Sequence, residues 1–102
     1  MTRRLIPLAF LGLLGACAGG TEGPVNSACL AAGRSSASTQ RCGCAQRAAN
    51  QSLGFLDQRR AAGFFAEPDR AERVRMSDSA GDKAFWTRYE GFIERAKASC
   101  PG

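Results

Sequence analysis

Five cysteines in 102 residues constrain this chain more than any other feature: Cys17, Cys29, Cys42, Cys44 and Cys100. The odd one, Cys17, stands apart from the rest. Met1-Thr2-Arg3-Arg4 leads into the apolar run Leu5 to Leu14, the layout of a secretory signal. That run ends near Ala18 and is interrupted by Pro7. It falls short of the roughly 20 apolar residues that cross a bilayer. Arg3-Arg4 also fits a twin-arginine export signal in part. With Cys17 set aside, four cysteines remain, and an even number in a short exported chain reads as a disulfide framework.

The end of the apolar run, Leu14-Gly15-Ala16-Cys17, resembles the lipobox of bacterial lipoproteins. The resemblance implies cleavage just before Cys17, a lipid on its sulfur and stable anchoring by several acyl chains. Ala16-Cys17-Ala18 can also be read as an ordinary cleavage site, which would leave a soluble periplasmic protein. The expected organisation is a signal peptide over 1–17, a flexible spacer over 18–24 rich in Gly, and a helical disulfide-bonded domain over 25–102. The expected location is exported, in the periplasm, anchored to a membrane such as the outer membrane.

Four cysteines allow three pairings. A Cys42–Cys44 bridge would close a very tight ring, a redox motif rather than a staple. In the other two pairings, Cys42 and Cys44 each join Cys29 or Cys100. Residues two apart on a helix point about 200° from each other, so the two sulfurs face different neighbours. Helix phase aligns Cys42 with Ala45, Ala49 and Leu53, and Cys100 with Phe85, Tyr89, Phe92 and Ala96. Phase therefore favours Cys42 with Cys100 and Cys29 with Cys44. A hairpin turning at Ser35-Ser36 would instead set Cys29 opposite Cys42, leaving Cys44 for Cys100, and this pairing stays open.

The rest of the pattern is helical. Apolar residues recur at steps of 3 and 4, β-branched residues are scarce, and no segment alternates with period two. Asn26 or Ser27 can cap a short helix through Ala28–Ala32 that Gly33 stops. Ser38 or Thr39 can cap a second from Gln40 to Leu53, ended by Gly54. Asp57 can cap a third over Gln58–Ala66, with Leu56, Phe64 and Phe65 as its bulk. Pro68 opens a fourth that reaches Met76. Phe85, Tyr89, Phe92, Ile93, Ala96 and Cys100 mark a last helix of about four turns. The expected fold is all-α, a small bundle of four or five short helices stapled by two disulfides.

Loss of 17 residues leaves 85, and a domain of that size buries only about 60% of its unfolded surface. Few large apolar side chains follow the signal, so the two bridges, at roughly 2–4 kcal/mol each, are expected to decide whether the chain folds. Phe85, Tyr89 and Phe92 are expected in the core. Trp86 lies about 100° off that stripe, where an exposed contact is expected.

The chain has no His, which excludes every mechanism that needs an imidazole. Cys42 and Cys44 are separated by one residue, where structural zinc sites use two to four, so no metal is expected and no cofactor. Asp78 with Asp82, and Glu90 with Glu94, are carboxylate pairs at i,i+4 that read as solvated faces. Without Arg3 and Arg4 the basic residues number 12 against 9 acidic ones. Arg59, Arg60, Arg70, Arg73 and Arg75 cluster, but Glu67, Asp69 and Glu72 dilute their field. An anionic envelope surface suits that cluster better than nucleic acid, and a salt-bridged helix surface accounts for it most simply.

Val25-Asn26-Ser27-Ala28-Cys29-Leu30, Cys42-Gly43-Cys44, Asp57-Gln58-Arg59, Phe64-Phe65 and the ending from Phe85-Trp86-x-x-Tyr89 to Cys100 resemble a group of short exported bacterial proteins. Its members carry the provisional label "arginine transporter", and the resemblance spans Val25 to Cys100. It implies a periplasmic accessory of arginine transport, since a chain with no membrane-spanning segment moves no polar solute by itself. No binding residue is carried over from it. The residues themselves point to an envelope lipoprotein, not an enzyme, that acts by binding or structure. Its expected partners are the membrane through the lipid, an envelope protein or an anionic envelope surface. A thiol–disulfide redox protein using Cys42 and Cys44 is the other reading.

Overall fold

The computed structural model describes residues 21–33 and 38–100. The expected signal segment with Cys17, residues 18–20 of the expected spacer, residues 34–37 of the first link and residues 101 and 102 lie outside the described residues. The described chain forms five helices and no strand: α1 Pro24–Ala32, α2 Thr39–Ser52, α3 Phe55–Ala66, α4 Pro68–Arg75 and α5 Ala80–Ser99. The fold is the all-α bundle with two staples that the sequence leads one to expect.

Local chemistry sets the helix ends. Pro24 opens α1 behind Gly23, three residues earlier than a cap at Asn26 implies and four earlier than one at Ser27. Proline suits this position because its missing N–H would have no helical partner there. Gly33 closes α1 in the left-handed conformation, at φ 62° and ψ 26°. The Ser38 hydroxyl accepts from the Arg41 amide and caps α2. Gly54 stands before α3, so Asp57 lies in the first turn instead of capping it. The Ser79 hydroxyl accepts from the Asp82 amide at 3.1 Å and starts α5 early, giving 20 residues and more than five turns.

α2 is the central element. It packs against α1 on one side and α5 on the other; α1 also lies on α3, and α4 joins α3 to α5. One cluster gathers Val25, Ala48, Ala49, Leu53, Ala61 and Phe92, and a second gathers Phe64, Val74 and Phe85. Tyr89 touches both. Its ring meets Phe64 edge-on at 5.2 Å and stacks on Phe85 at 5.9 Å. Adjacent Phe64 and Phe65 divide between the clusters, as residues about 100° apart on a helix must when both sides are covered. Leu56 does not supply bulk: it is 79% exposed, and Phe55 beside it is 61% exposed.

The bridges join Cys29 to Cys42 and Cys44 to Cys100, with Cα atoms 5.6 and 5.7 Å apart. This corrects the phase-based pairing of Cys42 with Cys100 and Cys29 with Cys44. That argument gave α2 one buried face, whereas Cys42, Gly43 and Cys44 are all buried because both sides of the helix are covered. Phase also fails at Cys100, which follows the end of α5 with extended backbone, φ −108° and ψ 146°. The register of the α1–α2 hairpin decides instead, and it sets Cys29 against Cys42. Cys42 and Cys44 therefore do not bond to each other.

The Cys29–Cys42 bridge spans 13 residues and Cys44–Cys100 spans 56. The chain-entropy model assigns about 3 and about 4 kcal/mol to such loops. Melting followed by circular dichroism should therefore show a larger drop for Cys44→Ala/Cys100→Ala than for Cys29→Ala/Cys42→Ala. Reduction of both should remove most of the helical signal at 37 °C. Equal melting temperatures for reduced and oxidised protein would mean that the core suffices alone.

Candidate functional site

Two features stand out in the described residues: a buried amide cluster where three helices meet, and an open surface beside it. The cluster begins with a deficit. α1 starts on Gly23 and Pro24, and no side chain next to it in sequence accepts its first amides. Gln46 of α2, 1% exposed, fills the role from another helix: its Oε1 accepts the Asn26 amide at 2.9 Å. Its Nε2 donates to Gln58 Oε1 at 2.6 Å and to Asn50 Oδ1 at 2.9 Å. Gln58 Nε2 in turn donates to Leu53 O at 3.1 Å and to Asn50 Oδ1 at 3.2 Å.

Buried amides are tolerable when nearly every donor and acceptor is matched, and Gln46 and Gln58 meet that condition, while the Oδ1 of Asn26 is buried without a hydrogen-bond partner. The backbone at Gly23 is shaped to it. A Cβ there would stand 2.6 Å from the Gln46 carboxamide carbon, and its φ of 152° already disfavours other residues. Upstream, Thr21 lies over Gly43, where a Cβ would come within 3.1 Å of the Thr21 side chain. The chain is thus packed against α2 from Thr21 onward, so the last residues of the expected spacer belong to the domain.

The open surface lies on α3. Phe55, Arg59 and Ala62 form one stripe at steps of 4 and 3, and with Pro24 of α1 they line a shallow concavity of about 370 Å³. The Arg59 guanidinium lies 5.7 Å from the Phe55 ring centroid. A second groove of about 610 Å³ runs along α5, lined by Trp86, Tyr89, Glu90, Ile93, Glu94 and Lys97. Trp86, where the sequence leads one to expect an exposed contact, is half-buried: it packs on the second cluster with its ring 4.9 Å from that of Tyr89. Burial raises the Tyr89 phenol above its ordinary pKa.

No family model matches this chain, and no curated protein or solved structure matches it.

The arginine cluster is largely neutralised. Arg60 pairs with Asp82 at 2.5 Å, Arg70 with Glu67 at 2.7 Å, and Arg75 with Glu72. Arg60 also lies over the Phe85 ring, 4.5 Å from its centroid. Arg59 and Arg73 make no ion pair among the described residues. Farther along, Arg88 forks onto Asp57 through Nε at 2.5 Å and Nη2 at 3.1 Å, tying α5 to α3. The carboxylate pairs do not act as pairs: Asp82 turns to Arg60 and Asp78 is exposed. Glu90 and Glu94 are both exposed, with Lys97 at 3.9 Å from Glu94. Among the described residues no group of three or more His, Cys, Asp or Glu could hold a metal ion.

Sequence reasoning missed the amides of Gln46, Asn50 and Gln58. A signal was present in the Gly23-Pro24 start, which leaves α1 without a cap of its own and so requires an acceptor from elsewhere.

Replacing Gln46 by Ala strands the Asn26 amide and the Gln58 carboxamide, and should cost about 2 kcal/mol. A melting temperature lower by about 10 °C is expected, with the same bridges found by peptide mapping. The Arg60 guanidinium and then the Ser77 hydroxyl hold the Asp82 carboxyl below its ordinary pKa. A lowered carboxyl pKa contributes stability above the unfolded value and loses it as pH falls through the folded value. Melting at pH 7 and pH 3 should therefore show an acid loss that Asp82→Asn makes smaller.

Proposed function

We propose that this chain is an exported envelope lipoprotein, a small stapled helical domain carried on a membrane through Cys17, acting by binding or structure and not as a catalyst. The observation that carries the reading is the cysteine count. All four cysteines of the described domain are used in two bridges, and the fifth is the last residue of Leu14-Gly15-Ala16-Cys17 behind a charged start and a short apolar run. A thiol so placed has lipid as its natural use, and the paired thiols suit an oxidising compartment. The absence of His from the sequence, and carboxylates that are either ion-paired or open to solvent, favour binding over chemistry. No helix among the described residues is long and apolar enough to cross a membrane, so on this reading attachment falls to the N-terminal segment.

Intact-mass analysis of the processed protein with and without reductant tests the proposal. A chain beginning at Cys17, heavier by its acyl groups, and a gain of 4 Da on reduction are expected. Cys17→Ser should leave the protein uncleaved or soluble. Unchanged membrane partitioning of a processed Cys17→Ser protein would refute the anchor.

A further inference from the structure

The fold leaves two neighbouring large apolar residues in water. Phe55 and Leu56, 61% and 79% exposed, form the first turn of α3. Among the described residues the other exposed large apolar side chains stand singly: Leu30 is 42% exposed, and Met76, 66% exposed, follows the charged Arg75 and precedes Asp78 by two positions. Beside Phe55 the surface continues through Pro24 and Ala62, and Arg59 supplies a cation that pairs with no carboxylate among the described residues. An apolar pair with an adjacent guanidinium has the composition of a headgroup–acyl boundary contact: rings and aliphatic groups for the chain side, Arg for the phosphate.

Tether length selects the bilayer as the occupant. The domain is packed from Thr21 onward, and only four residue steps separate Thr21 from Cys17. Four steps span at most about 14 Å. A domain held that close touches the lipid surface with some face. Among the described residues Phe55 and Leu56 are the adjacent pair of large apolar side chains left most open to water, so turning them to the lipid removes apolar surface that the fold itself does not cover.

We infer that the start of α3, through Phe55, Leu56 and Arg59, docks on the bilayer that holds the Cys17 lipid and fixes the orientation of the domain on it. This inference rests on the lipoprotein reading above. Docked this way, the α3 tip turns toward the lipid and the bundle is held against the membrane instead of swinging on its tether.

The test uses the processed protein purified from the cell envelope and placed in vesicles of phosphatidylethanolamine and phosphatidylglycerol. In a Leu56→Trp/Trp86→Phe variant, emission should shift to the blue and be quenched by lipids brominated near the headgroup. Trp86 of the unaltered protein should be quenched much less. Intact mass is read on the same sample. If the mass shows the lipid and the indole at position 56 stays open to aqueous iodide, the docking is overturned while the anchor stands. If the mass shows no lipid, the anchor falls. The docking then survives only if the protein still sediments with these vesicles and Phe55→Ser/Leu56→Ser weakens that binding about tenfold; equal sedimentation of the two overturns it.

Discussion

The structure depends on one turn of helix from which two covalent bonds diverge. Cys42 and Cys44, a residue apart at the start of α2, point to opposite sides and tie that turn to α1 and to the end of α5. The buried residues of α2 are Cys, Gly, Ala and Gln, with no large hydrophobe inside the helix itself. Small side chains let the flanking helices approach closely, but each contributes little apolar area. The bridges supply the missing constraint by shrinking the unfolded ensemble, so the middle of the bundle can be built from alanine and glycine.

Polar contacts complete what apolar burial leaves undone. Arg88 on Asp57 and Arg60 on Asp82 both cross from α5 to α3, and Arg60 also covers the Phe85 ring. Each pair is partly exposed and worth little alone. Their placement matters more than their strength: they set how α5 lies on α3 while Tyr89 fills the space between the two apolar clusters.

The helical class, the two staples and the αL glycine at Gly33 were legible in the sequence, because each follows from local chemistry, periodicity or the cysteine count. The partners of Cys42 and Cys44 were not. Periodicity identifies a buried face only when a helix has one, and α2 has two. Nor was the exposure of Leu56 legible, since no spacing rule tells whether a neighbouring helix reaches the first turn of α3. The amide cluster escaped for a third reason: Gln46 caps a helix 20 residues before it in the chain, and such a bond has no local signature.

Nearness of Cys42 and Cys44 in sequence also poses a problem of order. Either sulfur can in principle capture either distant partner, so a chain released all at once would partition between isomers. On the exported reading proposed above, a chain that crosses a membrane N-terminus first meets a different choice. Cys29, Cys42 and Cys44 arrive together, with Cys100 still 56 residues behind Cys44. The 13-residue loop can close first while the C-terminal helix is still unavailable, and the hairpin register then selects Cys42 over Cys44. When Cys100 arrives, one thiol is left for it. Export from the N-terminus would thus act as a proofreader of the pairing, because the shorter loop is also the one whose two cysteines come first in the chain.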